Sequence, residues 1–225
     1  MKVKYTELAI ASGKLNGMVH ARNKGGNYIR KWSKPLNPKT DLQLAVRNSL
    51  TTLSREWGAL TEAKRVSWIA LASNIVRKNR IGESVSLSGN ALYNEFNGNL
   101  ATLGVASLDT APAFTAPELP SIGSLIVKAA VFTYDLPAIA ATQYFVICVT
   151  PQVSAGKTNI ANKLRVLEVV QGTAAIIHQN SLASYTAKFG VPVVGKKIQI
   201  SVKVINGEYP ISTSPITETA TVAAP

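Results

Sequence analysis

Lys197-Ile198-Gln199-Ile200-Ser201-Val202-Lys203-Val204 alternates polar and apolar residues without a break. Successive side chains of a strand point to opposite faces, so this stretch predicts a strand with one face in a core and one toward water. The same period of two recurs around it. Leu125, Val127, Ala129 and Val131 read as one strand, Phe145, Ile147 and Val149 as another, and Leu164 and Val166 as the start of a third. Asn206-Gly207 is a turn signal leading to a last strand near Thr217–Ala223. Ser181 to Phe189, closed by Gly190, reads as one or two helical turns. About six to eight strands with turn residues between them, over residues 121–225, predict an immunoglobulin-like or fibronectin-III-like sandwich.

Upstream, the pattern changes at Asp109-Thr110-Ala111-Pro112-Ala113-Phe114-Thr115-Ala116-Pro117-Glu118-Leu119-Pro120. Three prolines among small and polar residues predict a semi-rigid linker over 105–120. Before it the period becomes helical. Leu42, Val46, Leu50, Leu53 and Trp57 form one stripe behind a Thr40 cap, with Gly58 as a break. Thr61 can cap a second helix to about Asn79, with Ile69, Ala72, Ile75 and Val76 inward and Trp68 beside them. Ser88 can cap a third, carrying Leu92, Phe96, Leu100 and Leu103, with Gly104 ending it. Ahead of these helices, Gly17–Arg22 and Asn27–Trp32 flank Asn23-Lys24-Gly25-Gly26 as a β-hairpin. The expected fold is therefore α+β in two domains: a basic hairpin and three-helix unit over 1–104, and an all-β sandwich over 121–225.

Charge divides along the same line. Residues 1–100 hold 16 Lys and Arg against 6 Asp and Glu, whereas 101–225 hold 8 against 6. A field of that sign over one half points to an acidic or polyanionic partner. Its densest part is Arg22, Lys24, Arg30, Lys31, Lys34 and Lys39, with Tyr28 and Trp32 interleaved. Cations with aromatics suit phosphates and bases, and they equally suit an acidic protein surface while the aromatics pack on the helices.

Catalytic and metal-binding patterns find little to work with. The two histidines, His20 and His178, fall in different expected domains, and Cys148 is the single cysteine, so no internal disulfide is possible. Pro151-Gln152-Val153-Ser154-Ala155-Gly156-Lys157-Thr158 ends like a phosphate-binding loop. It has proline where that loop needs glycine, and a β-branched run follows where a helix is required. A sandwich loop turning at Gly156 is the expectation. No enzyme activity, cofactor, metal, small-molecule substrate or membrane partner is expected. The apolar runs are far shorter than the roughly 20 residues of a membrane helix. The leading Met1-Lys2-Val3-Lys4-Tyr5-Thr6-Glu7 has no apolar stretch behind it, so no secretory signal is expected. Tyr134, Tyr144, Tyr185 and Tyr209 are the aromatics that a glycan-binding sandwich could use.

Two resemblances bear on function. Leu53 to Trp68 resembles the middle of an HMG box over barely twenty residues, without the wedge-bearing first helix or the basic tail, so DNA bending is not implied. A broader likeness rests on Gly13-Lys14-Leu15-Asn16-Gly17-Met18-Val19, Gly25-Gly26-Asn27-Tyr28-Ile29-Arg30, Pro35-Leu36-Asn37-Pro38-Lys39-Thr40, Gln43, Arg47, Trp57, Leu60 and Arg65-Val66-Ser67-Trp68. These stretches resemble small phage and prophage proteins of the Bacteroidota type, some of which add a C-terminal sandwich like that around Ser154–Lys157 and Tyr185–Gly190. The resemblance implies a virion context and brings no site with it. The expectation is a non-enzymatic virion structural protein, an accessory, decoration or head–tail component made in the host cytoplasm. It would dock in many symmetric copies through its basic half onto acidic virion proteins. The alternative is a nucleic-acid-binding accessory protein.

Overall fold

The computed structural model describes residues 12–23, 26–34, 36–79, 81–114 and 118–224. Lys24 and Gly25 of the hairpin turn, the leading residues 1–11 and residues 115–117 of the proline-rich stretch lie outside them. Helix and strand are mixed, so the chain is α+β as expected.

A three-stranded antiparallel meander comes first: β1 (Gly13–Leu15), β2 (Met18–Asn23) and β3 (Gly26–Lys31). Then follow α1 (Asp41–Ala59), α2 (Glu62–Asn74), the short antiparallel pair β4 (Val76–Lys78) and β5 (Ser84–Ser86), and α3 (Gly89–Leu103). Thr40 caps α1 by accepting from the Gln43 amide, and Ser88 caps α3 by accepting from the Ala91 amide. Gly104 ends α3 at φ 72°, a left-handed backbone that glycine adopts without a Cβ clash.

Two helix readings need correction. The second helix stops at Asn74, and Val76 lies on a strand, 63% exposed, while Ile69 is 53% exposed. Both were expected inside. Within α1 only Leu53 is buried. Leu42, Val46 and Leu50, expected to face a core, are 78%, 61% and 49% exposed. The stripe is real as a pattern, but α3 packs against the C-terminal part of α1, which brings Leu53 and Trp57 into contact and leaves the first three turns projecting.

What the helices bury is aromatic. Trp68 is fully buried with Tyr93 and Phe96 set edge-on to it at 5.4 and 5.7 Å between ring centres. Its indole N–H donates to the Asp109 carbonyl at 2.9 Å. The part of the proline-rich stretch nearest the helices is strapped to them. The Asn97 side chain pairs with both backbone groups of Leu108, and Lys64 meets Asp109 at 2.7 Å.

The β half begins with β6 (Gly123–Lys128) and β7 (Val131–Leu136), joined by a turn at Ala129-Ala130. The single strand expected from Leu125 to Val131 is therefore a hairpin; two alanines let the chain reverse without breaking the alternation. Next come β8 (Gln143–Val149), the two-residue β9 (Val153–Ser154), a 3-10 turn at Ala161–Lys163, β10 (Arg165–Gln171), β11 (Ile177–Asn180), α4 (Leu182–Phe189), β12 (Lys196–Asn206) and β13 (Ile216–Thr221). One sheet has the order β11-β7-β6 and the other β10-β8-β12-β13, with β9 beside the start of β12. Every strand pairing is antiparallel.

Ile198, Ile200, Val202 and Val204 of β12 share a core with Phe145, Ile147 and Val149 of β8 and with Phe132, Tyr134 and Leu136 of β7. That is the inward set the alternation predicted.

The loop from Gly207 to Pro215 does more than turn the chain. It carries Tyr209, 1% exposed, into the helical core, where its ring stands edge-on to Phe96 at 5.1 Å and to Phe114 at 5.2 Å. Asn99 donates to the Pro210 carbonyl at 2.7 Å.

Candidate docking surface

The basic segment is built on the meander. Cross-strand partners share a face, so Lys14, Val19 and Arg30 stand together, as do Ala21 and Tyr28 one step along. The Lys14 ammonium lies 3.7 Å from the centre of the Trp32 ring, which extends the same face. Leu15, Met18, Lys31 and, further along, His20 with Ile29 form the other face. No residue of the three strands is fully buried. Trp32 stays 46% exposed, whereas Tyr28 on the same face is half-buried, as expected of part of that face.

Of the six cations singled out from sequence, Arg22, Arg30, Lys31, Lys34 and Lys39 are exposed, and Lys24 lies outside the described residues. Arg47, from α1, donates to the Asn37 side chain at 2.7 Å and so ties the proline-rich approach to the helix. Lys39 sits at φ 52°, a left-handed turn directly ahead of the Thr40 cap. From residue 12 to residue 55 the one carboxylate in the sequence is Asp41, in the first turn of α1, where it suits the positive end of the helix.

Apolar side chains lie within this cationic field. Leu36 is 97% exposed, and Leu42, Val46 and Leu50 follow it up one side of α1. Sequence periodicity found this stripe and assigned it to a core. The available sign of its different role was that Asp41 is the one carboxylate across the same 44 positions, which marks the segment as a whole.

Elsewhere the reactive side chains are engaged structurally. The Tyr134 hydroxyl lies 2.6 Å from Glu168 and 2.8 Å from the Ser181 hydroxyl, and Ser181 also donates to Glu168. Tyr134 and Ser181 are fully buried. Burial first, and then the bond to Glu168, pushes the Tyr134 phenol far above its ordinary range. This cluster ties β7, β10 and the start of α4. His178 faces Asp135 at 2.6 Å across the β11–β7 pair, and that bond, with one from Ser124, lowers the Asp135 carboxyl. Burial raises the Cys148 thiol, which makes it a poor nucleophile. Gly156-Lys157-Thr158 lies in the connection after β9, with no helix behind it. Tyr134, Tyr185 and Tyr209 are all buried, which removes three of the four aromatics a glycan site could have used.

Among the described residues, no group of three His, Cys, Asp or Glu side chains could hold a metal ion, and no helix is long and apolar enough to cross a membrane. Comparison of the chain with known protein families, with curated proteins and with solved structures matched nothing.

Proposed function

We propose that this chain is a non-enzymatic virion structural protein of a bacteriophage, an accessory, decoration or head–tail component. Its basic N-terminal half docks on an acidic protein surface, and an immunoglobulin-like sandwich is displayed beyond it. The observation that carries the docking is the projecting face of α1 and the meander. Exposed Leu36, Leu42, Val46 and Leu50 share one stretch of sequence with Arg22, Arg30, Lys31, Lys34, Lys39 and Arg47, and Asp41 is the lone carboxylate in it.

Exposed aliphatic side chains in contiguous positions mark an interaction site. A second copy of this face would bring like charge against like, whereas an acidic protein with apolar gaps complements it. Repetition across a symmetric lattice multiplies weak contacts into stable attachment. The phage-like stretches of sequence support the virion setting.

The strand order supports the sandwich. Leaving aside the two-residue β9, the first, second and fifth strands of the β half form one sheet, and the third, fourth, sixth and seventh form the other. That is a Greek-key distribution of the fibronectin-III kind. The fold alone assigns no activity.

Mass spectrometry of purified particles tests the proposal. The protein is expected as a stoichiometric component, with a copy number on the order of hundreds for a shell site or about a dozen for the neck or tail. Particles free of it overturn the reading.

One observation favours nucleic acid as the partner instead: Tyr28, Arg30 and Trp32 lie along one face of the meander. A gel shift of the full chain on duplex DNA decides this. Affinity weaker than ~10⁻⁴ M at physiological salt rules it out.

A further inference from the structure

The β half, almost neutral as a sequence, is polarised as a structure. β12 runs from Lys196 to Asn206, about 33 Å for its 11 residues, and Tyr209 in the helical core follows just beyond Asn206. The Lys196 end is therefore the one remote from the helices.

Register brings several cations of this half toward that remote end, while Lys203, paired with Val146, lies toward the other. Lys196 and Lys197 pair with Ser154 and Val153, and the Lys197 ammonium donates to the Lys157 carbonyl. Arg165 pairs with Val149 just after the 3-10 turn that carries Lys163, and Lys188 reaches the Val166 carbonyl. Glu118, Asp135 and Glu208 belong to the opposite end. Glu168 is held by Tyr134 and Ser181, and Glu218, opposite Ile200, lies level with Arg165 across the sheet, so the end beyond them carries Lys157, Lys196 and Lys197.

Beside these cations stands a built apolar tip, whose Val193 carbonyl accepts from the Lys196 amide. Val191, Val193 and Val194 are 60%, 52% and 51% exposed, while Pro192 between them is buried. The Gln152 side chain brackets the loop, donating to the Val191 carbonyl at 3.0 Å and accepting from the Val193 amide at 2.9 Å. Gly190 and Gly195, at φ 85° and 79°, make the two bends that raise it. The valines are thus held outward by specific bonds, so presenting them costs little further order.

We infer that this tip binds an anionic lipid surface, with Val191, Val193 and Val194 entering the acyl boundary while the surrounding lysines meet the headgroups. A second copy is disfavoured by like charge. Bases and sugars call for aromatic platforms, and the nearby Tyr185 and Phe189 are turned into the core. An exposed aliphatic tip beside a cluster of cations has the two signals, apolar insertion and electrostatic attraction, that stable membrane attachment needs.

The test is flotation of the full chain with two kinds of vesicle: phosphatidylcholine alone, and mixtures in which about a third of the lipid is phosphatidylglycerol. Binding is expected only to the anionic vesicles and should weaken as salt rises. Val191→Ser/Val193→Ser/Val194→Ser should reduce partitioning about tenfold or more. Lys157→Gln/Lys196→Gln should reduce it about fivefold for each lysine removed. Arg30→Gln/Lys31→Gln/Lys34→Gln should leave it within about twofold, which separates this tip from the docking face. Unchanged near-ultraviolet circular dichroism checks that the valine variant folds, and the lysine variant reads the same site independently.

Vesicle binding that survives the valine and lysine variants, or disappears with the Arg30 variant, overturns the proposal. So does a tip whose valines instead mediate self-association, or whose lysines bind polyglutamate or duplex DNA in preference to vesicles.

Discussion

Trp68 is where the helical unit concentrates its stability. Its ring has Tyr93 and Phe96 edge-on and its N–H is satisfied by Asp109, so truncation removes packing and a strap together. Trp68→Ala is expected to lower unfolding free energy by about 3–5 kcal/mol, read from urea midpoints.

Two glycines give opposite forecasts. A Cβ on Gly172 would sit 2.4 Å from the Ala140 carbonyl oxygen and 2.5 Å from Ile139, so Gly172→Ala should cost roughly 1–3 kcal/mol or more. Gly98, inside α3 with nothing within 4 Å of its added methyl, should gain about 0.5–1 kcal/mol on Gly98→Ala. Thermal unfolding of the two variants checks both signs.

Tyr93 adds a pH dependence. Burial first, and then the Glu56 carboxylate, raises its phenol to about 12. A group raised on folding stabilises fully below its unfolded value and loses that contribution as pH climbs through the folded one. Burial raises the Tyr185 phenol to about 12 as well, so ultraviolet titration should find late tyrosinates near pH 12, and Tyr93→Phe should remove one share of that step and leave the Tyr185 share.

At the level of elements, α1 is one helix with two jobs. Its last turns supply Leu53 and Trp57 to the aromatic core, and its first three turns supply nothing to it. Leu42→Ser/Val46→Ser should leave stability within about 0.5 kcal/mol while weakening particle attachment. Leu53→Ala should cost about 2–5 kcal/mol, and the contrast is measurable by denaturation alongside a binding assay.

Periodicity could identify the helix and its stripe, and caps at Thr40, Ser88 and Gly104 located the boundaries well. It could not tell how far along the stripe another helix reaches, because that depends on the crossing of α1 and α3. The same gap explains Ile69 and Val76. Five apolar residues at helical spacing say which side is apolar, and tertiary packing decides which of them are covered. The core face of β12 was legible because a period of two picks out one apolar set, although Ser201 and Ile205 of its other face are buried as well and the strand runs on to Asn206. The turn at Ala129-Ala130 contains no glycine, proline or asparagine to announce it.

Across the whole molecule, the organising features are a loop and a charge pattern. Tyr209, on the loop at the near end of the β half, closes the helical core, and Tyr209→Ala should loosen both Phe96 and Phe114 at a cost of about 3 kcal/mol or more in unfolding free energy. Net charge by sequence half located the basic N-terminal segment but missed the cationic tip, since eight cations and six acids nearly cancel over residues 101–225 until the strands bring Lys157, Lys196 and Lys197 to one end.

The central claim is that the meander and the start of α1 grip an acidic protein neighbour. Lysine cross-linking and mass spectrometry on intact particles tests it most directly. Lys14, Lys31, Lys34 and Lys39 are expected to link to carboxylate-rich segments of another virion protein, with Lys157 and Lys196 free of such links. Partner links confined to Lys157 and Lys196, with the N-terminal lysines joined only to their own chain, would contradict the account.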